Sequence, residues 1–168
     1  ISEIANSFSE FAKMPVPRSE VFDLSSLVQK TAYLYAQNNN VNLSIEADEI
    51  DLFVRSDHQL INRVVTNLIL NGIQSVPDDR KPEINIKVYR NDKDKFAIIE
   101  VKDNGSGIPE NIRNKVFIPN FSTKIGGSGL GLAMAKRGVE HSGGNLWFET
   151  EVDKGTIFYV DLPLANKA

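Results

Sequence analysis

The chain has 168 residues, 41% of them hydrophobic and 24% charged, with a formal net charge of −3 and no cysteine. That length and composition fit one ordinary globular domain with a real core, neither disordered nor fibrous. Disulfides and thiolate metal sites are excluded, the acidic balance argues against bulk binding of nucleic acid, and no stretch has the pattern of a bilayer span or signal peptide.

The first stretch, ISEIANSFSEFAK, sets Ile1, Ile4, Ala5, Phe8, Phe11 and Ala12 at helical spacing, and Pro15 and Pro17 stop it. This bare apolar stripe reads as the last turns of a longer helix packed on a partner. Asp23 is the expected N-cap of a second helix, LSSLVQKTAYLYAQ, which runs to the asparagines at 38–40. Short strands follow around Val41–Glu46 and Leu52–Arg55. Asp57 then caps a long helix carrying Leu60, Ile61, Val64, Val65, Leu68, Ile69 and Ile73, ended by Pro77.

EINIKVY at 83–89 alternates as a strand does, and so does FAIIEVKD, with Ala97, Ile99 and Val101 on its inward face. A glycine-rich region runs from Gly105 to Gly131, broken by a short helical signal after Pro109. A helix from about Gly129 to His141 stops at Ser142-Gly143-Gly144. NLWFETEV and TIFYVDL form a hairpin around Asp153-Lys154-Gly155. The expected fold is mixed α/β (α+β), with helices on one face of a largely antiparallel sheet.

Four features carry chemistry. Asp103 has the parity of Ala97, Ile99 and Val101, so its carboxylate points coreward at the end of its strand, a costly place for a charge without donors. The following glycines in DNGSGIP let a flat ligand approach the backbone. An adenine amine is a suitable donor, and guanine would present a repelling carbonyl. An ordinary Asx-turn is the other reading of Asp-Asn-Gly, and the stronger one for the tripeptide alone. Asn67 and Asn71 stack four apart along the edge of an apolar stripe, where amide oxygens suit Mg²⁺ or serve as half-buried structural groups. GGSGLGLAMAK at 126–136 leads a glycine loop into a helix N-terminus, a phosphate site that is neither Walker A nor a dinucleotide fingerprint. Phe117 and Phe121 bracket a polar loop before Ser122-Thr123-Lys124, either as a lid that closes on ligand or as pins for a surface loop.

In this order, Asn-x₃-Asn, DNGSGIP, F-x₃-F and GGSGLGL, the features resemble the N, G1, F and G2 boxes of the GHKL ATP-binding superfamily. Within it, the resemblance is to the catalytic domain of bacterial sensor histidine kinases, from about Asp23 to Leu164. EFAKMPVP more loosely resembles the junction in nitrogen-regulation (NtrY-like) sensors. The resemblance implies a two-layer Bergerat sandwich: a mixed sheet, three main helices on one face and a mobile ATP lid. It implies that residues 1–17 close a dimerisation and phosphoacceptor helix plus linker, and that 18–168 form the ATP-binding domain. It assigns Mg²⁺ to Asn71, assistance at the phosphates to Asn67, and the adenine amine to Asp103, with Gly105, Gly107 and Ile108 around it. It assigns Phe117, Phe121, Ser122, Thr123 and the basic Lys124 to the lid, with Lys124 beside Asn67 and Asn71 as catalytic. Gly127, Ser128, Gly129, Leu130, Gly131 and Leu132 would cradle phosphate.

Hydrolysing relatives (gyrase-like, MutL-like and Hsp90-like) resemble one another in having Glu-x₃-Asn in the N box, the glutamate activating water. Asn67 stands at that place here, and an amide cannot act as a base. The expected reaction is therefore transfer of the ATP γ-phosphoryl to a histidine, for relay to a response regulator aspartate. The alternatives are a nucleotide-binding regulatory module of a phosphatase-biased sensor, or a GHKL ATPase or serine kinase. His58 and His141 both read as structural, so the acceptor histidine is expected on a dimerisation domain that this chain lacks. The resemblance further implies a monomeric cytoplasmic piece of a homodimeric parent, which is a candidate for inner-membrane anchoring. Its partners would be that dimerisation domain and a response regulator receiver domain.

Overall fold

The computed structural model describes residues 18–47, 51–91, 93, 95–121 and 131–167. The predicted helix over Ile1–Lys13, and with it the assignment of residues 1–17 to a preceding domain, lies outside the described residues.

Two aspartates start the first two helices. Strand β1 (Glu20–Asp23) runs straight into α1 (Leu24–Ala36), and the extended Asp23 accepts from the Ser25 N–H at 3.0 Å. After β2 (Asn42–Ala47) and β3 (Phe53–Ser56), Asp57 accepts from the Gln59 and Leu60 N–H groups at 2.9 and 3.3 Å and opens α2 (His58–Gln74). Strands β4 (Glu83–Asn91) and β5 (Phe96–Asp103) follow. The helical signal after Pro109 is a single 3₁₀ segment, Glu110–Lys115. Helix α3 (Gly131–His141) and the hairpin of β6 (Asn145–Glu151) and β7 (Gly155–Pro163) complete the chain.

The main sheet has the order β2-β4-β5-β7-β6. Only β2 and β4 are parallel, with α2 in the crossover between them, and the other three pairs are antiparallel. The register lines up two apolar rows on one face: Ile86, Val101, Phe158 and Phe148, then Val88, Ile99, Val160 and Leu146. Helix α2 buries Ile61, Val64, Val65, Leu68 and Ile69 on the apolar side of the fold, with Val28 and Ala32 of α1 and Ala135 and Val139 of α3 in the same core cluster. Each valine, isoleucine or leucine among them contributes about 1.5–3 kcal/mol when fully buried. The opposite face is polar and aromatic, with Lys87, Glu100, Tyr159 and Trp147 in register and Trp147 stacked on Tyr159 at 5.3 Å.

A second, two-stranded sheet was not foreseen. Residues 20–23 pair antiparallel with β3, and the Val54–Leu164 bridge adds the C-terminal segment to it. Four half-buried residues running into a helix show no alternation by which to recognise a strand. This sheet is clasped to the start of α2. The Glu20 carboxylate pairs with His58 Nδ1, and that bond holds its pKa below the ordinary carboxylate value. Asp57 is lowered as well, chiefly because the Arg18 N–H donates to it at 2.7 Å. Among the described residues, no helix is long and apolar enough to cross a membrane.

Candidate functional site

Asp103 ends β5 on the inward face, opposite Ile84, and is 3% exposed. Its Oδ1 accepts from the Gly105 N–H at 2.9 Å and the Thr156 N–H at 3.2 Å, and these donors offset the cost of burying a carboxylate. Helix α2 lies against its other side. A Cβ on Gly72 would stand 3.3 Å from Asp103 Cβ, 3.6 Å from Oδ2 and 3.0 Å from Ile84 Cδ1. Glycine inside a helix costs about 1 kcal/mol relative to alanine, and at position 72 that cost lets the helix approach the carboxylate.

The loop after Asp103 is fastened on several sides. A Cβ on Gly105 would fall 2.2 Å from Ser75 Oγ and 2.9 Å from Asp103 Oδ1. Gly107 has a φ of +76°, and a Cβ there would meet the Glu151 carbonyl oxygen at 2.4 Å. The Ser106 N–H donates to the Ser75 carbonyl at 3.1 Å, and the Ser106 carbonyl accepts from the Asp153 N–H at 2.7 Å. At the far end, the Ile108 N–H donates to Thr150 Oγ1 at 2.9 Å, and that hydroxyl lies 2.8 Å from Thr156 Oγ1. Thr156 in turn reaches Asp103 through its backbone, so the two threonines join the carboxylate to the end of the loop.

Asn67 and Asn71 are both half-buried on α2, one turn apart. Asn67 Nδ2 donates to the Gly131 carbonyl at 3.3 Å, which places this amide at the first residue of α3. Helix α2 thus meets the buried carboxylate at Gly72 and the N-terminus of α3 at Asn67, about 7–8 Å apart by helical rise. A ligand touching both would be elongated, with a hydrogen-bond donor at one end and an anionic group at the other.

Phe117 is packed rather than free. Its ring lies 5.8 Å from that of Phe148 and 6.4 Å from that of Phe158, with Lys136 Nζ 4.8 Å from its centroid. Lys136 also donates to the Leu146 carbonyl at 3.0 Å, tying α3 to β6 beside this ring. Of the two bracketing phenylalanines, Phe117 pins the loop to the core. Phe121 is half-buried, its N–H donating to the Ile118 carbonyl at 3.2 Å, and Asn120 before it has a φ of +69°. Ser122, Thr123, Lys124, Gly126, Gly127, Ser128, Gly129 and Leu130 lie outside the described residues. Gly131 and Leu132 open α3. Among the described residues, the nearest atoms to a Cβ on Gly131 would be those of the Asn67 side chain, at 3.8 Å.

Among the described residues, the grouping of His, Asp and Glu able to surround a cation is Glu20, Asp57 and His58, away from this site. There Asp57 is committed to the helix cap and Glu20 to His58. A cation on α2 would rest on amide oxygen and on oxygens of the ligand, which is the way Mg²⁺ is commonly held.

The family model described as histidine kinase-, DNA gyrase B- and HSP90-like ATPase matches residues 56–166. The chain belongs to this ATPase family. Sporulation kinase D of Bacillus subtilis is 33% identical over 98% of the ATPase chain and 33% of its own length. Nitrogen regulation protein NtrY of Azorhizobium caulinodans is 30% identical over 87% of the chain and 19% of its own length. The chain spans a third or less of these two relatives. The solved catalytic domain of histidine kinase ThkA in nucleotide-free form superposes with a TM-score of 0.76 at 28% identity, covering 88% of this chain and 96% of that one. ThkA has also been solved in complex with the response regulator protein TrrA, where the likeness has a TM-score of 0.79 at 26% identity over 98% of this chain and 47% of that one. The expected mixed α/β fold is the one found, and within its family this ATPase domain is an ATP-binding catalytic domain of the sensor histidine kinase type.

At Gly72 and Gly105 the chain closes on the buried carboxylate without a side chain between, the space of each absent Cβ being taken by Ile84 and Asp103 or by Ser75. Sequence reasoning missed three residues packed around Asp103. Gly72 was detectable as a glycine inside an apolar helix, a position that wants a packing reason. Thr156 is 5% exposed and shares the inward parity of Phe158 and Val160, so a polar group on an apolar face was the available signal. Thr150 had no local signal, because its importance comes from where β6 lies.

Proposed function

We propose that this domain transfers the ATP γ-phosphoryl to a histidine on a dimerisation domain of its parent protein, for relay to a receiver-domain aspartate of a response regulator. The observation that carries the reading is Asp103, a buried carboxylate oriented by two backbone donors and reached by helix α2 at Gly72. Asp103 accepts the exocyclic amine of adenine. Gly105 and Gly107 present backbone around the ring, with Ile108 beside them. Asn67 and Asn71 face the phosphates from α2, with Asn71 as the Mg²⁺ ligand.

Bound Mg-ATP would supply the phosphoryl group and neutralise the charge around it. The chain's own part is positioning: α2 orients the amides, α3 offers its N-terminal N–H groups, and Lys124 with residues 127–132 completes the phosphate cradle by resemblance to the family. With Asn67 where hydrolysing relatives have glutamate, no base stands ready to activate water, and an acceptor imidazole needs little activation. The ThkA–TrrA complex supports a response regulator as the downstream partner.

A purified dimerisation domain from the parent, mixed with this chain and γ-labelled ATP plus Mg²⁺, is expected to carry label on its histidine. No label on that histidine, or rapid ATP turnover by the chain alone, overturns the reading.

A further inference from the structure

Asp103 depends on a peptide group whose other end is held from outside the strand. The Gly105 N–H that donates to Asp103 Oδ1 belongs to the same peptide as the Asn104 carbonyl. Arg80, in the turn between α2 and β4, donates from Nε to that carbonyl at 3.0 Å. Its Nη2 donates to the next carbonyl, Gly105, at 3.2 Å, and the N–H of that second peptide donates to the Ser75 carbonyl at 3.1 Å. Both peptides flanking Gly105 are therefore gripped at their oxygen by one guanidinium and at their nitrogen by Asp103 or Ser75.

Peptide planes are rigid, and the residue between these two is a glycine, the residue least able to hold them by its own torsional preference. The guanidinium fork spans two acceptors in one plane, and its charge strengthens both bonds. A polarised carbonyl makes its own N–H a better donor, which carries the effect to the carboxylate. Asn104 adds a separate tie through its side chain, accepting from the Glu83 N–H at 2.8 Å and donating to the Lys81 carbonyl at 3.1 Å, but this leaves the 104–105 peptide plane to Arg80.

We infer that Arg80 is a positioning residue for purine recognition: it fixes the two peptides around Gly105 and thereby aims the Asp103 carboxylate at the base. The inference rests on the proposed ATP reading for its ligand, and on hydrogen bonds alone for its hold on the loop. Arg80→Met keeps the apolar stem and removes every donor, and Arg80→Lys restores charge with a group that reaches one carbonyl rather than two.

The test uses the 168-residue chain and two readouts, amide hydrogen exchange at Gly105 and Ser106 without nucleotide, and affinities for AMP-PNP and GMP-PNP. Arg80→Met is expected to exchange faster at both amides, to bind AMP-PNP about tenfold more weakly and to narrow the preference over GMP-PNP, with Arg80→Lys between it and the wild type. Unchanged exchange overturns the inference, as does a lowered melting temperature with unchanged affinity, or Arg80→Lys indistinguishable from Arg80→Met. If the wild-type chain binds neither nucleotide, the ATP reading falls, and the exchange comparison still decides whether Arg80 holds the loop.

Discussion

Asp103→Asn separates the roles of the two carboxylate oxygens. Oδ1 accepts from two backbone N–H groups, at Gly105 and Thr156. An asparagine at this position must keep its carbonyl oxygen there, because turning the amide over would set its NH₂ against both donors. Its nitrogen therefore replaces Oδ2, on the side next to Gly72. On the proposed assignment of Asp103 to the base, a donor then faces the adenine amine in place of a charged acceptor. Losing a hydrogen bond to a charged group costs about 1.5–3 kcal/mol, and leaving a donor unmatched adds about 1 kcal/mol or more, so a total near 3 kcal/mol is expected. That is a factor of roughly 150 in Kd. Folding should change much less: the two backbone bonds survive, weakened to neutral strength, and the desolvation cost of a buried charge disappears. Titration calorimetry with AMP-PNP and GMP-PNP, alongside urea unfolding, measures both quantities. The preference for AMP-PNP should shrink, since the new donor suits the guanine carbonyl. A variant that stays folded and binds AMP-PNP within about threefold of the wild type would refute the assignment of Asp103 to the base.

Gly107→Ala forces an alanine to a φ of +76° and brings its Cβ within 2.4 Å of the Glu151 carbonyl oxygen. A loss of about 2 kcal/mol or more in urea unfolding is expected, whereas Gly131→Ala, whose Cβ meets no described residue nearer than Asn67 at 3.8 Å, should fall within about 0.5 kcal/mol of the wild type. Equal losses would contradict the packing described for these positions. The clasp between β1 and α2 predicts an acid response. Glu20 and Asp57 both have carboxyls lowered from ordinary values of 4.5 and 3.8, so their contribution is present above those values and lost as pH falls through the lower folded ones. Urea midpoints followed from about pH 7 to about pH 3 should fall less steeply in Glu20→Gln than in the wild type, and identical slopes would show that the clasp contributes nothing.

Much of this was legible in the residues themselves. Asp23 and Asp57 announced their helices because an N-cap acts on N–H groups two or three residues away, within the reach of local sequence. The parity of Asp103 with Ala97, Ile99 and Val101 settled its inward direction, because alternation in a strand is a local geometric fact. The resemblance of four ordered boxes to a known family pointed to a nucleotide before any contact was seen.

Other features had no local signal. That β1 exists at all depends on β3 offering an unpaired edge, and that β2 runs parallel to β4 depends on where α2 crosses the sheet. Phe117 could be a lid or a pin until Phe148 and Phe158 lay beneath it. The sequence by itself determined the helices, the strand faces, and the charge that had to be buried at the end of β5. Only the tertiary structure decided what surrounds that charge: Thr156 donating from the neighbouring strand, Gly72 admitting α2, Thr150 fastening the loop and Arg80 gripping it from the turn. The physical reason is range. Caps and alternation act over a few residues, whereas strand partners and side-chain clasps join segments tens of residues apart, whose meeting is set by the packing of the whole core.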